Sequence, residues 1–310
     1  MPELQVAAGV IVNPSGLILI AKRHDHLHQG GLWEFPGGKI ESGETPVQAL
    51  ARELSEEVGI EVLDATPLMV IRHDYPDRKI RLHVWRVDRF AGEAEGLLGQ
   101  PLRWVRPDEL SSFQFPEANR PVVTAARLPD RYALLDLPSG RLDDYRQRLA
   151  GYHERGIRLV RLRASNLSVE AYREFAHEAT RWCLSRQIDL MVDGDCNLLH
   201  QTGARGLHLR SHELMALDAR PVDERLWLAA SCHDSLQLEQ AARIGVDFAI
   251  LSPVRETATH PDTRPIGWER FSSMVDTALL PVYALGGLDE QDLAMAQMQG
   301  AQGIAAIRGL

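Results

Sequence analysis

Apolar and polar residues follow two different rhythms along this chain. Up to about residue 125 the order is strand, strand, glycine-rich loop, helix and further strands. LQVAAGVIV and LILIAKR flank a turn at Pro14-Ser15-Gly16, and PLMVIRHDY and KIRLHVWRVDRF flank one at Pro76-Asp77-Arg78. That order predicts a mixed α/β domain. In AARLPDR, residues 125–131, Pro129 and Asp130 interrupt a short helical pattern, and the rhythm changes. Eight short apolar stretches follow: YALLDL, LVRLRA, DLMVDGD, GLHL, LWLAASCH, FAILSPV, VYALGGL and GIAAIRG. Amphipathic stretches such as VEAYREFAHEATRWCLSR and LQLEQAARIG separate them. Strand–helix alternation implies parallel strands, and the short, regular spacing predicts a compact (β/α)8 TIM barrel, with a doubly wound open sheet as the structural alternative. The expected domains are residues 1–128 and 132–310.

One helix concentrates the candidate chemistry. In GGKIESGETPVQALARELSEEVGI, residues 37–60, Thr45 is placed to cap, Pro46 suits the first position and Gln48 completes a capping box. Gly59 falls where a left-handed C-cap is expected, so the spacing predicts a helix over about 46–58. Leu50, Leu54 and Val58 form a stripe for the core, while Glu53, Glu56 and Glu57, at i, i+3 and i+4, share another face. Repulsion raises the pKa of such carboxyls unless a cation sits among them. A hard divalent ion with oxygen ligands, Mg2+ or Mn2+, meets that need. For three glutamates taken alone, a solvated acidic face paired locally by Arg52 is the competing reading.

Composition narrows the partners. Apolar content of 45% and charged content of 25% are ordinary for globular domains. A net charge of -9 argues against a general nucleic-acid or anionic-membrane binder, but not against a nucleotide enzyme whose metal screens the phosphates. Cys183, Cys196 and Cys232 lack paired or metal-ligand spacing, which suits a reducing compartment. The N-terminus lacks the basic start of a signal peptide, and no apolar run approaches a membrane span. The expectation is a cytoplasmic protein.

The full spacing around that helix carries a resemblance. Gly38, five residues, Glu44, seven residues and then RELSEEVGI is the Nudix box with every specified position present. LWEFPGGKIESGETP, YPDR and FPEANRPV extend the likeness to MutT-type Nudix hydrolases over residues 1 to about 128. The resemblance implies an αβα sandwich with a mixed sheet that hydrolyses nucleoside diphosphates linked to another group. Its MutT-type members prefer 8-oxo-dGTP, cleaved to the monophosphate and pyrophosphate, which sanitises the nucleotide pool for DNA replication and repair. It implies metal binding by Glu53, Glu56, Glu57 and the Gly37 carbonyl, and an orienting role for Arg52, with Glu53 chosen as general base. Gly37 and Gly38 let the backbone approach phosphate. Arg23, Arg78, Asn119 and the backbone of Glu34, Phe35, Pro36, Gly37 and Gly38 fall on nucleotide-contacting positions. Asn119 can both donate to and accept from a purine edge. The family's extra acid before GQP is here Leu98, with Glu93 and Glu95 nearby.

The second half resembles thiamine phosphate synthase and thiazole tautomerase in GARGLHLRSHEL, AASCHDSLQLEQAARIGVDFAILSPVRETATHP and VYALGGLDEQDL. That likeness implies a phosphate site at Gly286, Gly287 and the terminal IRGL, holding a phosphorylated small molecule. The family's Asn-Asp pair after strand three reads Asp193-Gly194, its next metal-binding aspartate reads Glu213, and its loop lysine reads His260. His233 and His260 leave tautomerase-like proton transfer open beside a ligand-binding barrel. The fused barrel also leaves open a front domain acting on a thiamine-related pyrophosphate, and a barrel that is itself a thiamine phosphate synthase.

Overall fold

The computed structural model describes residues 3–26, 28–76, 78–257 and 264–310, and the chain divides into two compact units, Met1–Arg127 and Leu128–Leu310. The first unit begins with β1 (Glu3–Ile11), β2 (Ile18–Lys22), β3 (Trp33–Glu34), β4 (Gly37–Lys39) and α1 (Pro46–Val58). It continues through β5 (Glu61–Tyr75), β6 (Arg78–Ala91), β7 (Leu102–Val105), 3-10 turns at Pro107–Ser112 and Glu117–Asn119, and α2 (Arg120–Arg127). One sheet has the order β4-β1-β6-β5 and a second the order β3-β2-β7. β1 runs antiparallel to β4 and parallel to β6, so the larger sheet is mixed.

The turn at Pro14-Ser15-Gly16 joins two sheets, because β2 pairs with β3 and β7 and meets β1 only through the bridge Val12–Ile18. β5 and β6 pair antiparallel up to Tyr75 and Arg78, while Asp77, expected in that turn, lies outside the described residues. Alternation along β1 sends Ala7 and Ile11 to one face and Ala8, Val10 and Val12 to the other. The first face packs on Ala49, Leu50, Leu54 and Val58 of α1, and the second on Val122, Ala125 and Ala126 of α2. Two helices on opposite faces of a sheet make the αβα sandwich. Each large apolar side chain of α1 buried there contributes roughly 1.5–3 kcal/mol.

The second unit repeats strand and helix. It contains β8 (Arg131–Leu135), α3 (Leu142–Glu154), β9 (Leu159–Leu162), α4 (Val169–Leu184), β10 (Asp189–Val192), α5 (Cys196–Thr202), β11 (Gly206–Leu209) and α6 (Ser211–Met215). It ends with β12 (Trp227–Cys232), α7 (Ser235–Arg243), β13 (Phe248–Leu251), α8 (Gly267–Val275), β14 (Val282–Leu285), α9 (Leu293–Met298) and β15 (Gly303–Ala306). β8 to β15 form a closed parallel barrel in which β15 pairs with β8, and closure rules out the open sheet. Inward residues such as Tyr132, Leu134, Phe248 and Tyr283 fill the barrel, while Ala133, Leu135 and their equivalents face the helices. Among the described residues, no helix is long and apolar enough to cross a membrane.

Candidate active site and barrel mouth

Local chemistry sets α1 in place. Gln48 N donates to Thr45 Oγ1, Thr45 N donates to Gln48 Oε1, and Gly59 closes the helix at φ 69°. The helix then lies against β4, the strand carrying Gly37 and Gly38. Gly37 has φ 149°, and a Cβ there would overlap the Ala7 carbonyl. A Cβ on Gly38 would overlap the Glu53 carboxylate. Crowding, more than flexibility, demands both glycines.

Arg52 is the hub of the carboxylates. Its Nε donates to Glu44 Oε1 at 2.8 Å, Nη1 to Glu53 Oε1 at 2.8 Å, and Nη2 to the Lys39 carbonyl at 3.0 Å. Nη1 also reaches Glu56 Oε2 at 3.4 Å. The bond to Arg52, helped by the Glu41 amide, holds the Glu44 carboxyl down at about 2. Glu56 is 61% exposed and Glu53 only 15%, so the expected three-carboxylate face divides. Glu53 turns toward Gly38, Glu57 accepts from Gly37 N at 3.3 Å, and Glu56 stands in solvent.

Burial pushes Glu57 up to about 7; the negative charges of Glu34 and Glu53 add to the rise, and the Gly37 amide and Arg23 oppose it. Burial also raises Glu34, partly offset by its ion pair with Arg23. The structure thus gathers Arg23, Glu34, Gly37, Gly38, Arg52, Glu53 and Glu57. Carboxyls gathered at one edge, with burial raising Glu34 and Glu57, offer hard oxygen donors that suit a divalent ion of the Mg2+ type. Among the described residues no three acidic, imidazole or thiol groups form a finished cage, because Arg52 holds Glu53 and Glu56 while Gly37 holds Glu57.

The other expected residues divide between ligand-facing and packing roles. Phe35 is buried and stacked on Phe115 at 5.4 Å, which leaves only its backbone for a ligand. Trp33 packs edge-on against Phe113 at 5.3 Å, with the Arg103 guanidinium over its ring. The Pro36 carbonyl accepts from Gly9 N at 2.9 Å. Arg78 opens β6 opposite Tyr75, and Asn119 ends the second 3-10 turn, half-buried. That turn is tied to Tyr75, whose hydroxyl accepts from Ala118 N at 3.4 Å.

Three participants escaped the sequence reading. The rings of His73 and His28 meet Tyr75 at 4.3 and 5.1 Å, beside the Asn119 turn. Alternation of His73 and Tyr75 in β5 was the available signal. Buried Gln100 donates from Nε2 to the Glu57 carbonyl at 2.8 Å and accepts from Leu98 N at 3.0 Å. Leu98 is therefore fastened by its backbone to the end of α1, with its side chain 58% exposed. Glu93 and Glu95 are exposed, and the Glu95 amide donates to the Val58 carbonyl.

The barrel unit opens at the carboxyl ends of its strands into a cavity of about 870 Å3. Arg161, Arg163, Arg210 and Arg308 line it with Gly286 and Gly287, whose φ values of 112° and 65° favour glycine. His233 lines it too, and its Nδ1 donates to the Ser252 carbonyl at 2.8 Å. Asp193 is not free, because buried Arg161 grips it with bonds of 2.6 and 2.8 Å. Glu213 is occupied as a cap of α6, accepting from Arg210 N at 2.7 Å. His260 lies outside the described residues.

Comparison with known proteins agrees with both halves. The Nudix domain family model matches residues 7–125, and the thiamine monophosphate synthase family model matches residues 139–310, more than half of the chain. The 8-oxo-dGTP diphosphatase of Escherichia coli is 45% identical over 123 residues, covering 40% of this chain and 95% of that protein. The CTP pyrophosphohydrolase of the same bacterium is 38% identical over 125 residues, covering 40% of this chain and 92% of that protein. The thiamine-phosphate synthase of Herpetosiphon aurantiacus is 28% identical over 180 residues, covering 58% of this chain and 87% of that protein. Box, helix and sandwich at one end and a closed barrel at the other thus have the same explanation: this chain is a Nudix hydrolase through its first unit and a member of the thiamine monophosphate synthase family through its second.

Proposed function

We propose that the first unit hydrolyses 8-oxo-dGTP to 8-oxo-dGMP and pyrophosphate, in the cytoplasm, with Mg2+ or Mn2+. The observation that carries this reading is the pair of buried carboxyls, Glu34 and Glu57, gathered with Glu53 under a glycine edge. Glu53, Glu57, the Gly37 carbonyl and, once swung inward, Glu56 would hold the ion. When bound, such an ion offsets phosphate charge and acidifies water. Arg52 keeps Glu53 oriented, and Glu53 accepts the proton of the attacking water. Gly37 and Gly38 leave room for phosphate oxygens along β4.

Arg23, Arg78 and Asn119 contact the nucleotide, with the backbone of residues 34–38. Oxidation at C8 turns guanine N7 from acceptor to donor, so a pocket that accepts there leaves the ordinary base unsatisfied. Released pyrophosphate or phosphate from 8-oxo-dGTP, dGTP, CTP and thiamine diphosphate, assayed on the full chain, tests the substrate. Fastest turnover of 8-oxo-dGTP is expected, and preference for CTP or thiamine diphosphate would reject this choice.

For the second unit we favour binding of a phosphorylated small molecule at Gly286 and Gly287 over transferase chemistry. Asp193 and Glu213 support this, since one is consumed by Arg161 and the other by a helix cap. Formation of thiamine phosphate from thiazole and pyrimidine phosphates by the full chain would overturn it.

A further inference from the structure

Glu57 stands on the last turn of α1, one residue before the helix ends at Val58. Carbonyls of a last helical turn have no partner inside the helix, and that turn frays unless other groups bind them. Glu53, a turn earlier, has its carboxylate gripped by Arg52 at 2.8 Å. The Glu57 carboxylate accepts from Gly37 N at the longer distance of 3.3 Å. Holding Glu57 in place is therefore a task for its backbone.

A segment distant in sequence performs it. The Glu57 carbonyl accepts from Leu97 N at 3.0 Å and from Gln100 Nε2 at 2.8 Å. The Val58 carbonyl accepts from Glu95 N at 3.0 Å. Residues 92–100 lie close on the helix end: a Cβ on Gly92 would fall 2.9 Å from the Gly59 carbonyl oxygen. A Cβ on Gly96 would overlap the Gln100 carbonyl, so the segment also folds tightly on itself.

Gln100 is the one side chain in this set of bonds, and it is buried. Its Oε1 accepts from Leu98 N at 3.0 Å while Nε2 donates to Glu57. Both halves of the amide are used, and the backbone partners fix which atom is which, since an N–H must donate and a carbonyl must accept. A carboxylate in the same place would set acceptor against acceptor and bring negative charge to the negative end of the helix.

We propose that Gln100 is a positioning residue for Glu57: by tying the last turn of α1 to residues 92–100, it holds the Glu57 carboxylate at the metal site beside Gly37. The inference rests on the reading of Glu57 as a metal ligand, and the two fail separately.

Mn2+ binding to the full-length protein without nucleotide, followed by the paramagnetic resonance of the free ion, tests both. The wild type should bind more Mn2+ than Glu57→Gln, and equal binding by the two would reject the ligand reading. Given that difference, Gln100→Met, similar in length without the amide, should weaken Mn2+ binding about fivefold. Gln100→Glu should weaken it further. In turnover, the Mg2+ concentration for half-activation should rise by a similar factor, while kcat and the nucleotide KM at saturating Mg2+ stay near wild type. Lost stability alone would lower the melting temperature without changing the affinity of the folded molecules for the ion. Wild-type Mn2+ affinity in Gln100→Met, whatever its melting temperature, overturns the positioning role. Should Gln100→Glu fail to fold, Gln100→Met still decides.

Discussion

The two units handle unlike charge in opposite ways. In the Nudix unit, negative charge exceeds its partners: Arg52 is shared among Glu44, Glu53 and Glu56, while burial pushes Glu34 and Glu57 toward the protonated form. In the barrel, positive charge exceeds its partners around the cavity, yet the one deeply buried arginine, Arg161, is matched by Asp193. The first unit leaves a deficit for a cation, and the second a surplus for an anion. A site's unpaired charge therefore indicates what it takes, whereas its paired charges indicate what holds it together.

Breaking the pair in the barrel should have the largest effect. Arg161→Met leaves Asp193 buried with only the longer contact to Arg210 at 3.9 Å among the described cations, and should cost about 3–5 kcal/mol in urea unfolding, whereas Arg161→Met with Asp193→Leu should regain most of it. If the single and double variants unfold alike, the pair is not structural. Next comes Glu57→Gln, which should lower Mg2+-dependent 8-oxo-dGTP turnover by about a hundredfold or more while leaving circular dichroism intact. Near-normal turnover would remove Glu57 from the metal site.

Asn119→Ala should reduce the preference for 8-oxo-dGTP over dGTP by about tenfold, with a smaller loss in phosphate hydrolysis itself. Equal loss on both nucleotides would assign Asn119 to structure. The smallest effect concerns pH. Glu57 sits at about 7 in the fold against 4.5 ordinarily, so in metal-free protein the native state holds a proton that the unfolded chain has released. Stability from this group is present below about 4.5 and is lost as pH rises to about 7. Melting in chelator at pH 5 and pH 8 should differ by a few degrees from this source, and Mg2+ should narrow the gap. A gap that Mg2+ leaves untouched would separate Glu57 from the ion.

What could be read from the chain before its fold follows the same division. Helix α1 was legible from cap to cap, because Thr45, Gln48, the leucine stripe and Gly59 act within a few turns of one another. The eight barrel strands were legible for the same local reason. The partition of the glutamates was not, since Glu53 is held by an Arg52 that also reaches Glu44 and Lys39, beyond the helix face. The role of Gln100 depends on a contact with Glu57, distant in sequence. The hydrogen-bonded chain of Tyr132, His208, Ser231 and Arg161 comes from four strands, each supplying one side chain without any motif. Periodicity finds elements, but contacts within a barrel emerge only when the strands close.

Arg52 carries one more consequence. Its guanidinium is already shared between Glu44 and Glu53, so arrival of a divalent ion is in part an exchange of partners. The box helix keeps a resident counter-cation of its own. Scarcity of the divalent ion would then silence the hydrolase without unravelling it, and the same molecules would resume work when the ion returned.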